Sequence, residues 1–187
     1  MPKLEMAAPF EFVRGRLGPI TYHKTAYGNV MTRFSERTGA PTVAQQQVRD
    51  QFRAAAAYAK RMIADPVVAP RYAMAAAAKG MKPRPFMIAD FFNEPVVQMI
   101  DVSGYHGPAG QFIKVQAYDD FEVTGVNIAV LDGDNAVIFQ GAAVLSNGLW
   151  ELAATSNIAL GEVVTVQATA TDRPGHTGTL SLPYTIV

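Results

Sequence analysis

Hydrophobic and polar positions change their period twice along the chain, and the changes divide it into three segments. In the first, residues 10–37, short apolar runs alternate with polar residues, which is typical of β-strands. The predicted strands are Phe10–Arg14, Ile20–Thr25 and Val30–Phe34. Gly15 and Gly18-Pro19 separate the first two strands, and Gly28-Asn29 predicts a tight turn between the last two. We expect a small β-meander that is too thin to be stable alone.

The second segment, Thr42–Gly80, has the period of a helix. Thr42 and Gln45 have the spacing of a capping box, in which each side chain satisfies a backbone N–H at the helix start. An apolar stripe then repeats at spacings of four and three residues along Val48, Phe52, Ala55, Ala59 and Met62. Asp65-Pro66 ends this helix, since Asp65 can cap and Pro66 fits a first helical position. A second helix is predicted over Arg71–Lys79, closed by Gly80.

The connector between the second and third segments spans Met81–Pro95. Pro83, Pro85 and Pro95 predict an extended backbone, because proline restricts both itself and the residue before it. The connector also carries Phe and Met residues that are too apolar for a free linker. We therefore expect an extended strap that packs against one or both halves.

The third segment, residues 96–187, alternates with a period of two, as half-buried strands do. The clearest cases are Ile113, Val115 and Ala117 against Lys114 and Gln116, and Val164, Val166, Ala168 and Ala170 against Thr165, Gln167 and Thr169. Roughly seven such strands separated by turn residues predict an immunoglobulin-like β-sandwich. The expected fold class is α+β, with residues 1–80 forming the meander and a helical hairpin, 81–95 the strap and 96–187 the sandwich.

Two stretches carry a resemblance to known proteins. Residues 163–176, with Ala168, Ala170, Asp172 and Gly175, resemble the closing strand and turn of bacterial Ig-like and cadherin-like modules, although His176 stands where Asn is usual. The N-terminal part resembles the start of short uncharacterised bacterial proteins, many from Bacteroidota, through Gly15-Arg16-Leu17-Gly18, Tyr22, Gly28-Asn29, Arg33, Pro41-Thr42, Gln45, Arg49 and Phe52. The resemblance implies an N-terminal β/helical segment followed by an Ig-like domain, and it implies no activity.

Charged residues are sorted between the two halves of the chain. Residues 1–90 carry fourteen Lys or Arg and six Asp or Glu, a net charge of +8, whereas residues 91–187 carry two and ten, a net charge of −8. The whole chain is neutral. Fields of opposite sign must be neutralised within the chain, by a partner, or by the next copy docking head to tail.

Composition narrows the class of protein. A hydrophobic content of 49% with 17% charged residues excludes disorder as the dominant state, and the lack of cysteine excludes disulfides and thiolate chemistry. Residues 1–12 contain no apolar run long enough for a signal-peptide core, although a mature form whose signal had been removed would look the same. The longest apolar run, Tyr72–Ala78, is far too short for a membrane helix. We expect synthesis in the cytoplasm, with an extracellular or particle assembly as a further destination, and no membrane span.

No residue constellation in the sequence points to a reaction. His23, His106 and His176 are too scattered for a metal cluster, and no serine lies in a nucleophile-elbow context. Asp132 and Asp134 could ligate calcium, but Asp-Gly between two apolar strands favours a hairpin turn. The basic half lacks the dense run expected of a nucleic-acid site. We therefore expect no enzyme, no cofactor and no nucleic-acid partner.

The function predicted from these patterns is a non-catalytic structural building block. It would self-associate head to tail into a filament, a phage-like particle or a surface layer, with copies of itself and other assembly proteins as partners. The predicted interface joins the bases Arg14, Arg16 and Arg33 to the acids Asp119, Asp120 and Glu122. The alternative is an Ig-like module that binds a carbohydrate or protein ligand, with or without calcium, through loops that carry Tyr105 and Trp150.

Overall fold

The fold combines three helices with eleven strands in the part of the chain that the computed structural model describes, residues 14–25, 28–34 and 39–187. The helices are α1 (Val43–Ala64), α2 (Val68–Ala78) and α3 (Pro83–Phe92). The strands are β1 (Gly15–Leu17), β2 (Ile20–Thr25), β3 (Gly28–Arg33), β4 (Val96–Asp101), β5 (Phe112–Tyr118), β6 (Val123–Leu131), β7 (Val137–Ala142), β8 (Val144–Ser146), β9 (Leu149–Ala153), β10 (Val163–Asp172) and β11 (Thr177–Thr185). The protein is α+β, and it divides into two compact units, Met1–Gln46 and Gln47–Val187.

The first unit contains one antiparallel sheet in the order β1-β2-β3. The second predicted strand agrees with β2, and β3 begins at Gly28, two residues earlier than predicted. Gly15, predicted to separate strands, is instead the first residue of β1, where it adopts a φ of 125°. The turn predicted at Gly28-Asn29 is wrong, because both residues belong to β3 and pair with Thr25 and Lys24. Residues 10–13 of the first predicted strand lie outside the described residues, as do residues 26–27.

The first predicted helix agrees with α1, whereas the second differs from α2 in its start. The capping box at the start of α1 is confirmed: the Gln45 N–H donates to the Thr42 hydroxyl and the Thr42 N–H donates to the Gln45 side chain, both at 3.3 Å. The Asp65 carboxylate accepts the N–H groups of Val67 and Val68 at 2.8 and 3.1 Å, so it caps α2. This helix starts earlier than predicted, because Pro70 falls in its first turn, where its missing N–H is not needed.

The predicted extended strap is wrong, because most of it forms α3. Pro83 and Pro85 lie in the first turn, which has no helical partner for its N–H groups, so both prolines are compatible with a helix. Phe86, Met87 and Asp90 are buried against α1 and α2. The apolar residues of the connector thus form one side of a small helical core.

The first half of α1 packs little. All residues from Val43 to Ala54 are exposed, whereas Ala55, Tyr58 and Ala59 further along the same stripe are buried. Phe52 stacks on the exposed Phe92 with ring centroids 6.4 Å apart. The predicted stripe therefore lies on the side of α1 that packs, but only its second half contributes to the core of the helices.

Residues 96–187, called the two-sheet region here, form two four-stranded antiparallel sheets in the orders β11-β10-β6-β7 and β4-β5-β9-β8. Eight strands are present, one more than predicted. Inward side chains of both sheets form a single core; its fully buried members include Ile113, Val115, Ile128, Val130, Val164, Val166 and Ala168. The alternation predicted for β5 and β10 is confirmed, since buried and less buried residues alternate along both strands.

No helix in the described part of the chain is long and apolar enough to cross a membrane.

Candidate interaction surfaces

A buried polar network holds the three helices together. The Tyr72 hydroxyl of α2 donates to Asp90 Oδ2 of α3 at 2.6 Å, and the Tyr58 hydroxyl of α1 lies 2.6 Å from the Tyr72 oxygen. Since the single proton of Tyr72 is given to Asp90, Tyr58 must donate to Tyr72. The network therefore orders all three helices through two hydrogen bonds.

Burial changes the acid–base behaviour of this network. Asp90 is 1% exposed, and desolvation raises the pKa of its carboxyl from 3.8 to about 6. Desolvation likewise raises the pKa of Tyr58 to about 12 and the pKa of Tyr72 further still, because each loses water around its charged form. Sequence reasoning missed all three residues; the signal was a lone acid inside the apolar run Phe86–Phe92 of α3.

The three predicted interface acids lie on the β5–β6 turn, where they form hydrogen bonds and ion pairs with other groups of the same chain. The buried Asp119 carboxylate accepts the N–H groups of Phe121 and Glu122 at 3.3 and 3.2 Å. The Asp120 carboxylate accepts Lys79 Nζ at 2.6 Å and also the Asn93 side chain. Glu122 pairs with Arg71 of α2 and with Arg173.

These contacts attach the helices to the end of the two-sheet region. The rings of Tyr72 and Phe121 stack with centroids 3.6 Å apart, next to the Glu122 and Asp120 ion pairs. The Lys79 hydrogen bond lowers the pKa of Asp120, whereas burial raises the pKa of Asp119. Part of the charge separation between the two halves is therefore neutralised within the chain at this junction.

The three predicted interface bases do not share one surface. Arg16 pairs with Thr21 across β1–β2, whereas Arg33 pairs with Ile20, and adjacent strand positions face opposite sides of a sheet. The Arg16 guanidinium also lies 3.5 Å from the centroid of Phe34, in a cation–π contact. Arg14 is exposed immediately before β1. A single flat partner could therefore contact Arg33 or Arg16, but not both.

The turn between β6 and β7 is built around Asp132. Its Oδ1 accepts the N–H groups of Asp134 and Ala136 at 2.9 and 2.8 Å, and Asn135 adopts a φ of 61°. This is the Asx-type hairpin that the Asp-Gly sequence predicts. Across residues 14–25, 28–34 and 39–187, no three His, Cys, Asp or Glu side chains come together as a metal site.

The aromatic residues predicted for ligand-binding loops lie in or against the core. Tyr105 is fully buried, and its ring meets Phe139 edge-on with centroids 6.3 Å apart. Trp150 is half-buried and packs against the same core. Tyr105 is therefore not open to a ligand, and Trp150 lies on β9 rather than in a loop.

The outward faces of the two sheets differ in character. On β4-β5-β9-β8 the outward residues include exposed apolar side chains, which we call the apolar outer face: Val96, Met99, Phe112 and Tyr118. On β11-β10-β6-β7 the outward residues are mainly threonine, serine and amide side chains, which we call the hydroxyl face: Thr165, Gln167, Thr169, Thr171, Thr179, Ser181, Asn127 and Gln140. Asp172 is the one charged residue of those four strands, and it is buried.

The helices present a third surface, an open groove of about 670 Å³ along α1 beside α3. Its lining combines alanines with Lys60, Arg61 and Phe91. The groove is therefore apolar at its floor and basic at its rim.

No protein-family model and no curated protein matches the chain. Several solved structures are similar to about half of the chain at low TM-score. CopC from Methylosinus trichosporium OB3b is 18% identical, with a TM-score of 0.37 over 49% of this chain and 92% of its own. The carbohydrate-binding module BhCBM56 is 18% identical, with a TM-score of 0.33 over 41% and 79%. A β-glucuronidase from Parabacteroides merdae is 16% identical, with a TM-score of 0.34 over 49% of this chain and 14% of the enzyme.

Proposed function

We propose that the protein is a non-catalytic building block that self-associates head to tail into a larger assembly such as a filament, a phage-like particle or a surface layer. The observation that carries the proposal is that the N-terminal sheet has no core. None of the described residues between 14 and 46 is buried, and Leu17 and Met31 are 72% and 47% exposed. Three strands without a buried face are marginal in water, so a covering surface would stabilise them.

The two-sheet region, by contrast, has the complete core of a β-sandwich, and we interpret it as an immunoglobulin-like domain. A domain that is stable by itself can serve as the rigid body of each subunit, while the meander supplies a contact. In this interpretation the resemblance to bacterial proteins with a short N-terminal segment and an Ig-like domain describes the subunit plan.

The charges of the two parts favour contact between copies. The described residues between 14 and 46 include four Lys or Arg and no acid, whereas residues 96–187 carry nine acids and two bases. Opposite charges steer two copies into the head-to-tail orientation, and a heterologous contact of this kind repeats into a ring or an open filament.

The test is the mass of the purified chain by light scattering over a wide range of protein concentration, combined with negative-stain imaging. We expect the mass to rise with concentration and to exceed that of a dimer, because each added copy leaves one surface open. A chain that stays monomeric at high concentration and low salt would contradict the proposal.

A further inference from the structure

One face of the meander carries the large apolar side chains that are exposed on its described strands, Leu17 and Met31. Leu17, Ile20, Tyr22 and Met31 share the side on which Arg33 lies, because the pairs Tyr22–Met31 and Ile20–Arg33 are two residues apart in register. We call this set the meander's apolar face. Lys24 lies on this side as well, and the opposite side carries Val30, Arg16 on Phe34 and the His23–Thr32 hydrogen bond of 3.0 Å. The apolar face is the side that needs a cover.

Charge and polarity select one acceptor among the surfaces of the second unit. The helical groove is bordered by Lys60 and Arg61, which would repel a basic strand such as β3. The hydroxyl face has hydrogen-bonding partners within the sheet, such as Thr169 with Thr179 at 3.2 Å, and no exposed acid. The apolar outer face has both exposed apolar side chains and acids.

The acids of the apolar outer face lie beside its apolar residues. Asp101, Lys114 and Glu151 stand side by side across β4, β5 and β9, with Lys114 Nζ 3.3 Å from Glu151, so the row has a net charge of −1. Along β5 this row follows the positions of Gln116 and Tyr118, whose neighbours on β4 are Met99 and Val96. On β3, Arg33 lies two residues after Met31 and in one row with Ile20 and Leu17, so the meander's apolar face also places a charge directly beside apolar side chains.

From this match we propose that the meander's apolar face of one copy packs, sheet on sheet, against the apolar outer face of the next copy, with Arg33 beside Asp101 and Glu151. The inference rests on the proposed self-association and identifies its two surfaces. The acceptor acids are Asp101 and Glu151, which belong to the outward row of the apolar outer face, rather than Asp119, Asp120 and Glu122, which lie on the β5–β6 turn.

The size of the meander sets the strength of this contact. The three strands have 3, 6 and 6 residues and cover roughly 240 Å² of flat area, at about 4.8 Å between strands and 3.3 Å per residue. That area is below the roughly 800 Å² per partner of a standard stable interface. The contact is therefore weak for a single pair, and the assembly forms only at high protein concentration or along a repeating chain.

The experiment uses two blocked variants of the full chain. The donor-blocked variant is Leu17→Asp with Met31→Asp, and the acceptor-blocked variant is Met99→Asp with Tyr118→Asp. All four side chains are exposed, so each variant should fold, which circular dichroism verifies. Gln140→Asp on the hydroxyl face is the matched control, because it adds a charge to an exposed strand position away from both surfaces.

We expect light scattering to show monomers for each blocked variant alone and assemblies for wild type and Gln140→Asp. Mixing the two blocked variants should give a complex of two chains that does not grow, because one intact donor meets one intact acceptor. If the wild type assembles and the acceptor-blocked variant assembles equally well, this pairing of surfaces is overturned. The proposed function would then remain intact. A monomeric wild type would overturn both, including the case in which the meander folds back on its own chain.

Discussion

The N-terminal sheet and the two-sheet region have the same kind of sequence pattern and opposite degrees of burial. Both alternate apolar and polar residues along antiparallel strands, yet Met31 on β3 is half exposed whereas Val166 on β10 is completely buried. The difference lies in the number of covering layers. β10 faces a second sheet across a shared core, while the described residues of the meander have no buried neighbour. Alternation therefore predicts a strand, and only its surroundings decide whether the apolar side is covered.

The largest expected effect comes from placing the same carboxylate in each region. Val166→Asp introduces an unpaired charge into the core, and we expect a loss of more than about 4 kcal/mol in the free energy of unfolding. Met31→Asp should change the stability of the monomer by less than about 0.5 kcal/mol, because the side chain is exposed. Urea unfolding followed by Trp150 fluorescence measures the first, since the only tryptophan lies in the two-sheet region. A tolerated Val166→Asp would show that the inward side of β10 is assigned wrongly.

A second effect tests how closely the two-sheet region is packed. A Cβ on Gly178 would lie 1.7 Å from the backbone oxygen of Pro95, so β11 and the start of β4 would have to separate. We expect Gly178→Ala to cost about 3 kcal/mol or more in unfolding free energy. Gly125→Ala on β6 is the control, because a Cβ there meets nothing within 4 Å, and alanine in a strand should be neutral or slightly stabilising. Equal midpoints for the two variants would contradict the close approach of β11 to Pro95.

A pH dependence of stability should arise in the second unit, which contains the buried Asp90. Its carboxyl binds a proton more tightly in the folded chain than in the unfolded chain, because burial raises its pKa from 3.8 to about 6. This group therefore stabilises the helices fully below about pH 4, and the contribution, at most about 3 kcal/mol, is lost as the pH rises through about 6.

Asp90→Asn isolates that contribution, since the amide oxygen can still accept the Tyr72 hydroxyl and carries no charge to desolvate. We expect the variant to be more stable than wild type at pH 7 and to lose most of the slope between pH 4 and pH 6, measured by helix unfolding in circular dichroism. Asp120→Asn serves as the reference. Its effect on the pH dependence of stability should have the opposite sign, because Lys79 lowers the pKa of Asp120. A wild-type slope unchanged by Asp90→Asn would assign the titration to another group.

The smallest expected effect is that of a single rim charge. Arg33→Glu should slow association at low salt, and the difference from wild type should shrink at physiological ionic strength, where charges are screened over about 8 Å. Arg84→Glu, an exposed position of α3, makes the same charge change away from the meander and should leave the rate nearly unaffected. Stopped-flow light scattering measures both association rates. If the two variants are slowed equally, the effect comes from net charge alone and not from the position of Arg33.

Several local features could be predicted because they depend on neighbours in sequence. The capping box of Thr42 and Gln45, the cap at Asp65 and the inward side of β10 follow from spacing and side-chain chemistry alone. The class α+β followed from the change of period along the chain. The helix α3 was missed because three prolines in one connector indicate extended backbone, and only the structure places two of them in a first turn.

The contacts between distant segments could not be predicted. The partners of Glu122 are Arg71 and Arg173, each 51 residues away in sequence, and no local pattern specifies them. The Tyr58–Tyr72–Asp90 network likewise joins three helices. Periodicity along a single sequence predicts each helix, but it does not predict how the helices are placed relative to one another. The sorting of charge was visible in the sequence, but its neutralisation at the β5–β6 turn depended on the tertiary fold.

The most direct test of the central claim is amide hydrogen exchange of β1, β2 and β3 as a function of protein concentration. If the meander's apolar face is covered by another copy, protection of these strands should rise as the concentration increases, while protection of β6 and β10 stays constant. The Met31→Asp variant should keep the meander at its low-concentration level throughout. Meander protection that is high and independent of concentration in wild type would contradict the claim, since the sheet would then be stable without a second molecule.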